Sequence, residues 1–559
     1  MEHTRSLRPF AAVLLLLAAS FAAAQDFGAY QKALDTAREK RLEQAWMDAA
    51  EAYRDAIEIN PTVADVWSRL AHCLFRAEKY EDAIEAHKKV YELGGTYPWS
   101  PIYQIAVCYT KTGDKDRAIE WLQKAMDLGF RDITRVRRDR NLESLRDDPR
   151  FIEIAATADV SEMSRDEGWR YDLRFLAREI ARRHYDPYRL HSKDEFDAFV
   201  KELHNEIPVL TDHEIEARLM ILTRMAGDGH TRLYPTYARG DAREALPISI
   251  YLFKEGMYVV AVPEEHKELL GAAVLAVGAH PTDELMQLLD AITYQDNKMG
   301  LLASGPGFVR YPQILNGLGL ISKPNEVEVT VKTRAGETKT VILKTENTTQ
   351  TDDWLLARNL APGDPPLTMK SRNKSYWFEY LEDANTVFFQ YNRVRSEREE
   401  PFPKFCERLF EFIEENNVER LVIDIRWNGG GNTHLIQPLI HGLIKCEKIN
   451  RSGKLFVIIG RNTFSAAMNC ATDIDMNTEA IFVGEPTGSS PNFIGESVPV
   501  TLPYSKMTGT ISDLHWVRSW PMDYRSWIAP TIYAPPSFEA YMANRDPAME
   551  AILAYRHGG

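Results

Sequence analysis

Three alanines, Ala49, Ala83 and Ala118, stand 34 and 35 residues apart in similar settings: WMDAAEAYRDAIEINP, KYEDAIEAHKKVYELG and DKDRAIEWLQKAMDLG. This period constrains the fold more than any single motif. A repeated helix pair cannot bury its apolar face alone, so neighbouring pairs must stack to close a core. The upstream helices carry Trp67, Leu70, Ala71 and Leu74, then Ile102, Ile105, Ala106 and Tyr109. That mixture of small and large apolar residues lets paired helices approach closely. The repeats run over 27–130, and a partial closing helix near NLESLRDDPRFIEIAA extends the array to 158. Cys73 and Cys108 occupy equivalent repeat positions. Stacked helices lie about 8–10 Å apart, beyond the disulfide reach of about 7 Å between Cα atoms, so no bridge is expected there.

These units resemble tetratricopeptide repeats. The resemblance implies a concave groove for an extended peptide or a partner protein. The whole chain has 559 residues, enough for two to four domains. Its 44% hydrophobic and 26% charged residues are an ordinary globular composition. The net charge of −14, with no basic stripe, argues against a nucleic-acid partner. Five cysteines form no CxxC pair or Cys/His cluster, so no metal site is expected and buried small hydrophobes are. The N-terminus, MEHTRSLRPFAAVLLLLAASFAAAQDF, reads as a secretory signal peptide over 1–24, cleaved after Ala24. Its apolar run is short for a membrane span, and no second such run follows. The expectation is a mature, exported chain, periplasmic or secreted, without a transmembrane span.

Beyond 165 the texture changes. Residues 165–238 read as helices, ending in RMAGDGHTRLYP. Residues 240–345 mix strands (LPISIYLF, MYVVAVP, AAVLAVG) with a helix, TDELMQLLDAI, and a hairpin, EVEVTVKTRAGETKTVILK. Residues 346–375 are polar and Pro-rich, the pattern of a linker. From 376 to 556 strands and helices alternate: NTVFFQYNRV, PFPKFCERLFEFIEENN, RLVIDIR, THLIQPLIHGLIKC with a kink expected at Pro438, KLFVIIG, SAAMNCATDIDMN and AIFVG. Alternation of this kind predicts an α/β core with mostly parallel strands. In such sheets reactive residues gather at the carboxyl ends of strands.

Two stretches lie at such ends. In GRNTFSAAMNCA, Ser465 begins a helix, where unpaired N–H groups favour an oxyanion. A serine hydroxyl is a weaker acid than tyrosine, whose pKa is about 10, so ionising it at pH 7 costs more than about 4 kcal/mol. A helix dipole supplies at most about 2 kcal/mol. A nucleophilic Ser465 therefore needs a base; otherwise it is a capping serine. In DIRWNGGGN three glycines after a buried strand can turn N–H groups into a cleft. The Lys-Ser/Thr of a phosphate loop is absent.

The order GDGHTRLYP, VIDIRWNGGGN, GRNTFSAAMN, VGEPTGSSPN, IAPTIYAPPSFEAYMANRDPAMEAIL resembles the C-terminal processing (tail-specific) serine peptidase family over roughly 165–556. The resemblance implies an α/β multidomain chain: an all-α tetratricopeptide solenoid, then a crotonase-like α/β peptidase core with a helical subdomain and a degenerate PDZ-like subdomain. It implies Ser465 as nucleophile, with the N–H groups of Gly430 and Ala466 as oxyanion donors. One branch of the family activates its serine with a lysine in a GKG-like turn. Here no lysine stands between Lys454 and Lys506. The other, tricorn-like branch (retinoid-binding-protein-like) implies His230, in GDGHT, as base, ahead of His434 and His441. It implies Asp523 as the orienting acid, with Asp513 and Glu496 as alternatives. Asp424 is expected to hold Arg426 or the glycine loop. NGLGL at 316–320 resembles a carboxylate-binding loop. No cofactor motif is present. The functional expectation is an exported serine endopeptidase acting on peptides or unfolded proteins, its repeats recruiting substrate or partner. The alternative is an inactive peptide-binding scaffold. A thioester-enolate reading from the crotonase-like core is disfavoured by export away from coenzyme A.

Overall fold

The computed structural model describes residues 27–94, 97–130, 132–155, 158–238, 244–348 and 353–556. The expected signal peptide, 1–24, lies outside these residues. Among the described residues no helix is long and apolar enough to cross a membrane. The chain divides into two compact units, Met1–Val160 and Ser161–Gly559.

The first unit is all helical: 27–42, then Trp46–Ile59, Ala64–Arg76, Tyr80–Glu92, Trp99–Thr112 and Lys115–Asp127. From Trp46 onward each packs on the next. The three repeat alanines have no exposed surface, and neither do Ala71 and Ala106. A larger side chain at any of them would force its helix pair apart, which is why the period is visible in the sequence. Helix Pro149–Ala155 closes the array with buried Phe151 and Ile154. Cys73 and Cys108 are buried free thiols, as are Cys406, Cys446 and Cys470.

The second unit opens with helices Arg165–Arg183, Lys193–Glu206 and Asp212–Arg224. Each starts at a capping box. Glu167, Glu195 and Glu214 accept the backbone N–H of Ser164, Ser192 and Thr211 at 2.9, 2.7 and 2.7 Å. An antiparallel sheet follows, built on Ser249–Phe253, Gly256–Val262, Ala273–Val277, Glu326–Lys332 and Thr338–Lys344, the last two forming the expected hairpin.

Two expectations fail in this region, and two helices, Lys298–Phe308 and Pro312–Gly317, were not anticipated at all; Gly300, Gly305, Pro306 and Gly307 are poor helix formers. Gly300 and Gly305 are packing residues instead: an added Cβ would lie 2.5 Å from Gln295 Cβ and 2.6 Å from Met286 Cε. The segment 346–375 is fastened rather than a free linker. Leu355–Leu356 pairs with Ala261–Val262, and the Thr368 carbonyl accepts Gln390 Nε2 at 2.8 Å. Its polar composition signalled missing periodicity, not missing contacts. NGLGL is a helix end. The N–H groups of Gly319 and Leu320 donate to the carbonyls of Asn316 and Leu315 at 2.8 and 2.9 Å, so these two amides are spent on the cap and cannot receive a carboxylate.

The core is a six-stranded sheet in the order Tyr376–Leu381, Thr386–Tyr391, Arg420–Asp424, Leu455–Ile459, Ile481–Gly484, Ile532–Tyr533. The first strand is antiparallel and the rest are parallel. The inner strands are apolar along their length because both faces are covered. Phe389, Ile423 and Val457 meet Phe405 and Leu409 of helix Phe402–Glu415 on one side. Phe388, Val422, Phe456 and Val483 meet Ile552 on the other. Pro438 kinks nothing: helix Gln437–Lys445 begins beside it, and a first-turn N–H has no intrahelical acceptor to lose. A second, three-stranded antiparallel sheet joins Arg232–Tyr234 to Thr508–Val517 and Asn492–Thr501, fixing the segment after GDGH.

Asp424 holds Arg426, as expected, at 3.0 Å. Arg426 also makes a two-pronged pair with Asp546, 2.9 Å at each contact. Asp546 in turn caps helix Pro547–Ala554. Asp546→Ala should destabilise the second unit by about 2–4 kcal/mol, since it leaves the buried Arg426 with Asp424 alone and removes the cap. Urea unfolding checks this, and a loss below about 1 kcal/mol would contradict it.

Candidate active site

Strand Leu455–Ile459 ends in a turn, and helix Ala466–Asn477 begins immediately after Ser465. The turn is tied down on all sides. Thr463 Oγ1 donates to the Ile425 carbonyl at 3.0 Å, the Phe464 N–H to the Asn428 carbonyl at 3.1 Å, and the Gly488 N–H to the Thr463 carbonyl at 3.1 Å. Ser465 is left at φ 55°, ψ −127°, and its hydroxyl caps nothing. The capping explanation therefore fails. This backbone costs about 1–3 kcal/mol at a non-glycine residue and persists only where its surroundings enforce it. A strained serine between strand and helix is how a hydroxyl is lifted out of a sheet edge.

The glycine loop presses on it. Gly430 has φ 109°, and an added Cβ would lie 2.6 Å from Ser465 Cβ and 2.9 Å from the Ala466 nitrogen. Val394 fastens the loop, donating to the Gly430 carbonyl at 2.9 Å and accepting the Asn432 N–H at 2.8 Å. The two expected oxyanion donors differ. Among the described residues nothing accepts the Ala466 N–H. The Gly430 N–H is engaged, donating to Asn428 Oδ1 at 2.9 Å. Gly430→Ala should cost at least about tenfold in peptide hydrolysis and about 1–3 kcal/mol of stability. Gly429→Ala, which meets nothing within 4 Å, should leave stability unchanged. Thermal unfolding of both variants checks this; equal melting temperatures would contradict it.

His230 lines the same cleft as Ser465, a space of about 530 Å³. Its ring is sandwiched between Phe464, at 4.4 Å between centroids, and Phe493, at 5.6 Å. It is 4% exposed, and neither ring nitrogen makes a hydrogen bond of good geometry. Burial pushes its pKa down to about 4. The Asp228 charge and the Ile494 backbone oppose that shift, and Arg232 adds to it. His230 and Ser465 thus share a cleft without being hydrogen-bonded. His434 and His441 are exposed and outside the lining.

Asp523 does not stand behind His230. Its carboxylate accepts Arg525 Nη2 at 2.8 Å and Ser519 Oγ at 2.6 Å, and Arg525 above all holds its pKa down at about 2. Glu496 and Asp513 make no hydrogen bond to the ring either. The charge that reaches His230 is that of Asp228, which also shapes the loop. Its Oδ1 accepts the N–H groups of His230 and Thr231 at 2.7 and 2.8 Å, and its Oδ2 meets His184 Nε2 at 2.7 Å. Asp228 was not foreseen, though GDGH carries a signal for it: an Asp side chain there naturally caps the following turn. Nor was Asp296. It accepts the Gly229 N–H at 2.7 Å and the Ser489 hydroxyl, joining the GDGH loop to the TGSS loop. The residue keeps some exposed surface, yet its carboxyl is enclosed, and burial pushes it up to about 7. No group of three His, Cys, Asp or Glu able to hold a metal ion occurs among the described residues.

Residues 62–129 match the tetratricopeptide repeat family. No curated protein matches the chain. Mature CPAF in complex with lactacystin aligns with 69% of this chain and 97% of its own, at 12% identity and a TM-score of 0.50. The chain shares that fold. The photosystem II D1 C-terminal processing protease aligns over 69% and 96% at 13% identity and a TM-score of 0.34. A peptidase from Parabacteroides merdae ATCC 43184 aligns over 70% and 98% at 13% identity and a TM-score of 0.33.

Proposed function

We propose that this chain is a serine peptidase whose nucleophile is Ser465 and whose general base is His230. The observation that carries the reading is the strained, uncapped Ser465 sharing a cleft with a histidine whose ring nitrogens are unengaged. Leaving a buried donor and acceptor open in this way is costly, and a catalytic role explains why the cost is tolerated. A peptide carbonyl entering the cleft meets Ser465 Oγ, and imidazole takes the hydroxyl proton as the C–O bond forms. The oxyanion receives the Ala466 N–H. It receives the Gly430 N–H as well once that amide exchanges Asn428 Oδ1 for the stronger charged acceptor. His230 returns the proton to the leaving amine, and water then hydrolyses the acyl-enzyme. Asp228 takes the part foreseen for Asp523, its charge favouring the imidazolium without touching the ring.

We read 376–556 as the crotonase-like catalytic core, 165–238 as its helical part and 240–345 as a PDZ-like subdomain that lacks the NGLGL carboxylate loop. The repeats hold substrate or a partner protein. A groove of about 430 Å³ beside His72, His87 and Tyr97 suits an extended peptide. The signal-like N-terminus supports export. Incubation with unfolded proteins and mass spectrometry of the products tests the function. Discrete fragments from wild type and none from Ser465→Ala are expected. Intact substrate across a varied set would favour the binding scaffold instead.

A further inference from the structure

A catalytic imidazole is usually aimed by a third group bonded to its far nitrogen. Among the described residues His230 has no such partner: neither ring nitrogen makes a hydrogen bond of good geometry, and Asp523 is held by Arg525. The aim of the ring must come from its packing and from the loop that carries it. Packing gives one part, since the ring stacks on that of Phe464, the residue before Ser465. The loop is held by two carboxylates. Asp228 acts from within, on the N–H groups of His230 and Thr231. Asp296 acts from outside, out of the turn between helices Thr282–Leu289 and Lys298–Phe308. Its Oδ1 accepts the Gly229 N–H at 2.7 Å, and its Oδ2 accepts the Ser489 hydroxyl.

The second of these contacts leads to the nucleophile. Ser489 follows Gly488, whose N–H donates at 3.1 Å to the carbonyl of Thr463, two residues before Ser465. One continuous path therefore runs from His230 through Gly229, Asp296, Ser489, Gly488 and Thr463 to Ser465. Asn297 braces it, its Nδ2 donating to the carbonyls of Thr487 and Ser526 at 3.1 and 2.6 Å. Gly229 must be small for the path to close: an added Cβ would lie 2.7 Å from the Phe464 ring and 3.3 Å from Asp296 Oδ1. The link also survives titration of the carboxyl, which burial raises to about 7. A serine hydroxyl donates to a carboxylate and accepts from a carboxylic acid.

We propose that Asp296 is a positioning residue for the reaction at Ser465: it ties the loop of the base to the loop of the nucleophile and so fixes how the His230 ring meets the Ser465 hydroxyl. This rests on the reading of Ser465 and His230 as nucleophile and base. The contribution is one of orientation, not of charge. Asparagine, which offers Oδ1 to Gly229 and Nδ2 to Ser489, should therefore serve in its place.

Two readouts on the full chain test this. The first is labelling of Ser465 by a fluorophosphonate, resolved into a maximal rate and the concentration giving half that rate. Asp296→Ala should lower the maximal rate about 10- to 100-fold and change the half-saturating concentration by less than about twofold. Asp296→Asn should bring the rate back to within about fivefold of wild type. Ser489→Ala cuts the same link without touching the GDGH loop, and it carries the test should Asp296→Ala not fold. It should slow the maximal rate by at least about threefold, and adding it to Asp296→Ala should cost nothing further. The second readout is the Cε1–H signal of His230 in histidine-labelled protein, identified by its absence from His230→Gln. That signal reports the ring's place between Phe464 and Phe493 and needs no turnover. It should move in Asp296→Ala and return in Asp296→Asn. A maximal rate indifferent to both alanine substitutions, costs that add fully in the double variant, or an asparagine variant as slow as the alanine one would overturn the proposal and leave the peptidase reading intact. Wild-type protein that is never labelled at Ser465 would overturn the peptidase reading itself, and the proposal with it.

Discussion

Ser465→Ala is expected to lower peptide hydrolysis by roughly 10⁴- to 10⁶-fold, leaving only what binding and the oxyanion donors supply. The size follows from the role. The hydroxyl forms the bond, and the other serines lining the cleft, Ser304 and Ser497, lie within a helix and a strand rather than at the strained turn. Folding should be nearly unaffected, because Ser465 Oγ makes no hydrogen bond and alanine inherits the same backbone at φ 55°. Ser465→Gly sharpens the point. Glycine adopts that conformation freely, so this variant should be inactive yet about 1 kcal/mol more stable than wild type. A serine that merely started a helix would give the opposite result: stability lost and activity kept. Parallel assays of hydrolysis and thermal unfolding separate the two.

His230→Gln is expected to cost roughly 10²- to 10⁴-fold, the usual contribution of a positioned base. The pH profile is more specific. The ring is neutral at pH 7, with a pKa near 4, so kcat/KM should hold steady on acidification and fall only as pH drops through about 4. A solvent-exposed base would instead show its limb near 6.5. Unfolding at low pH need not confuse this. Because the folded pKa of His230 is depressed, stability is full above about 6.5 and lost as pH falls toward 4, by about 3 kcal/mol. Asp296 has the opposite sign. Its folded pKa is raised to about 7, so native protein binds a proton that the unfolded chain does not, and stability rises as pH falls from 7 toward 4. The two offset each other within the second unit. His87, whose pKa burial pushes down to about 4, adds acid sensitivity to the repeat unit in the same way, and Asp523, held at about 2, adds to that of the second. An acid limb near 6.5 in kcat/KM, with the second unit still folded, would remove His230 from the role of base.

Much of this was legible in the chain because it is local. The repeat alanines report helix spacing, and the apolar runs of 386–391, 420–424 and 455–459 report strands buried on both faces. GDGH, NGGG and TFSAA mark backbone turns, and turns depend on few residues. What local pattern cannot report is which side chain wins a partner. Asp523 stood at the expected distance from Ser465, but Arg525, two residues away, takes its carboxylate first. Asp296 reaches Gly229 across 67 residues and Ser489 across 193, and nothing in TYQDN signals either contact. The glycines of 300–307 give no helical signal, because their reason for being small, Gln295 and Met286 packed against Gly300 and Gly305, comes from the tertiary fold.

The central claim is that Ser465 is the reactive residue and that His230 activates it. The most direct measurement is to treat the full chain at pH 7 with a fluorophosphonate, digest it with trypsin and locate the adduct by mass spectrometry. The account predicts a single adduct on Ser465, within the peptide containing NTFSAAMNCATDIDMNTEAIFVGEPTGSSPNFIGESVPVTLPYSK, formed far more slowly in His230→Gln. An adduct on any other serine, or one on Ser465 whose rate is indifferent to His230, would contradict it.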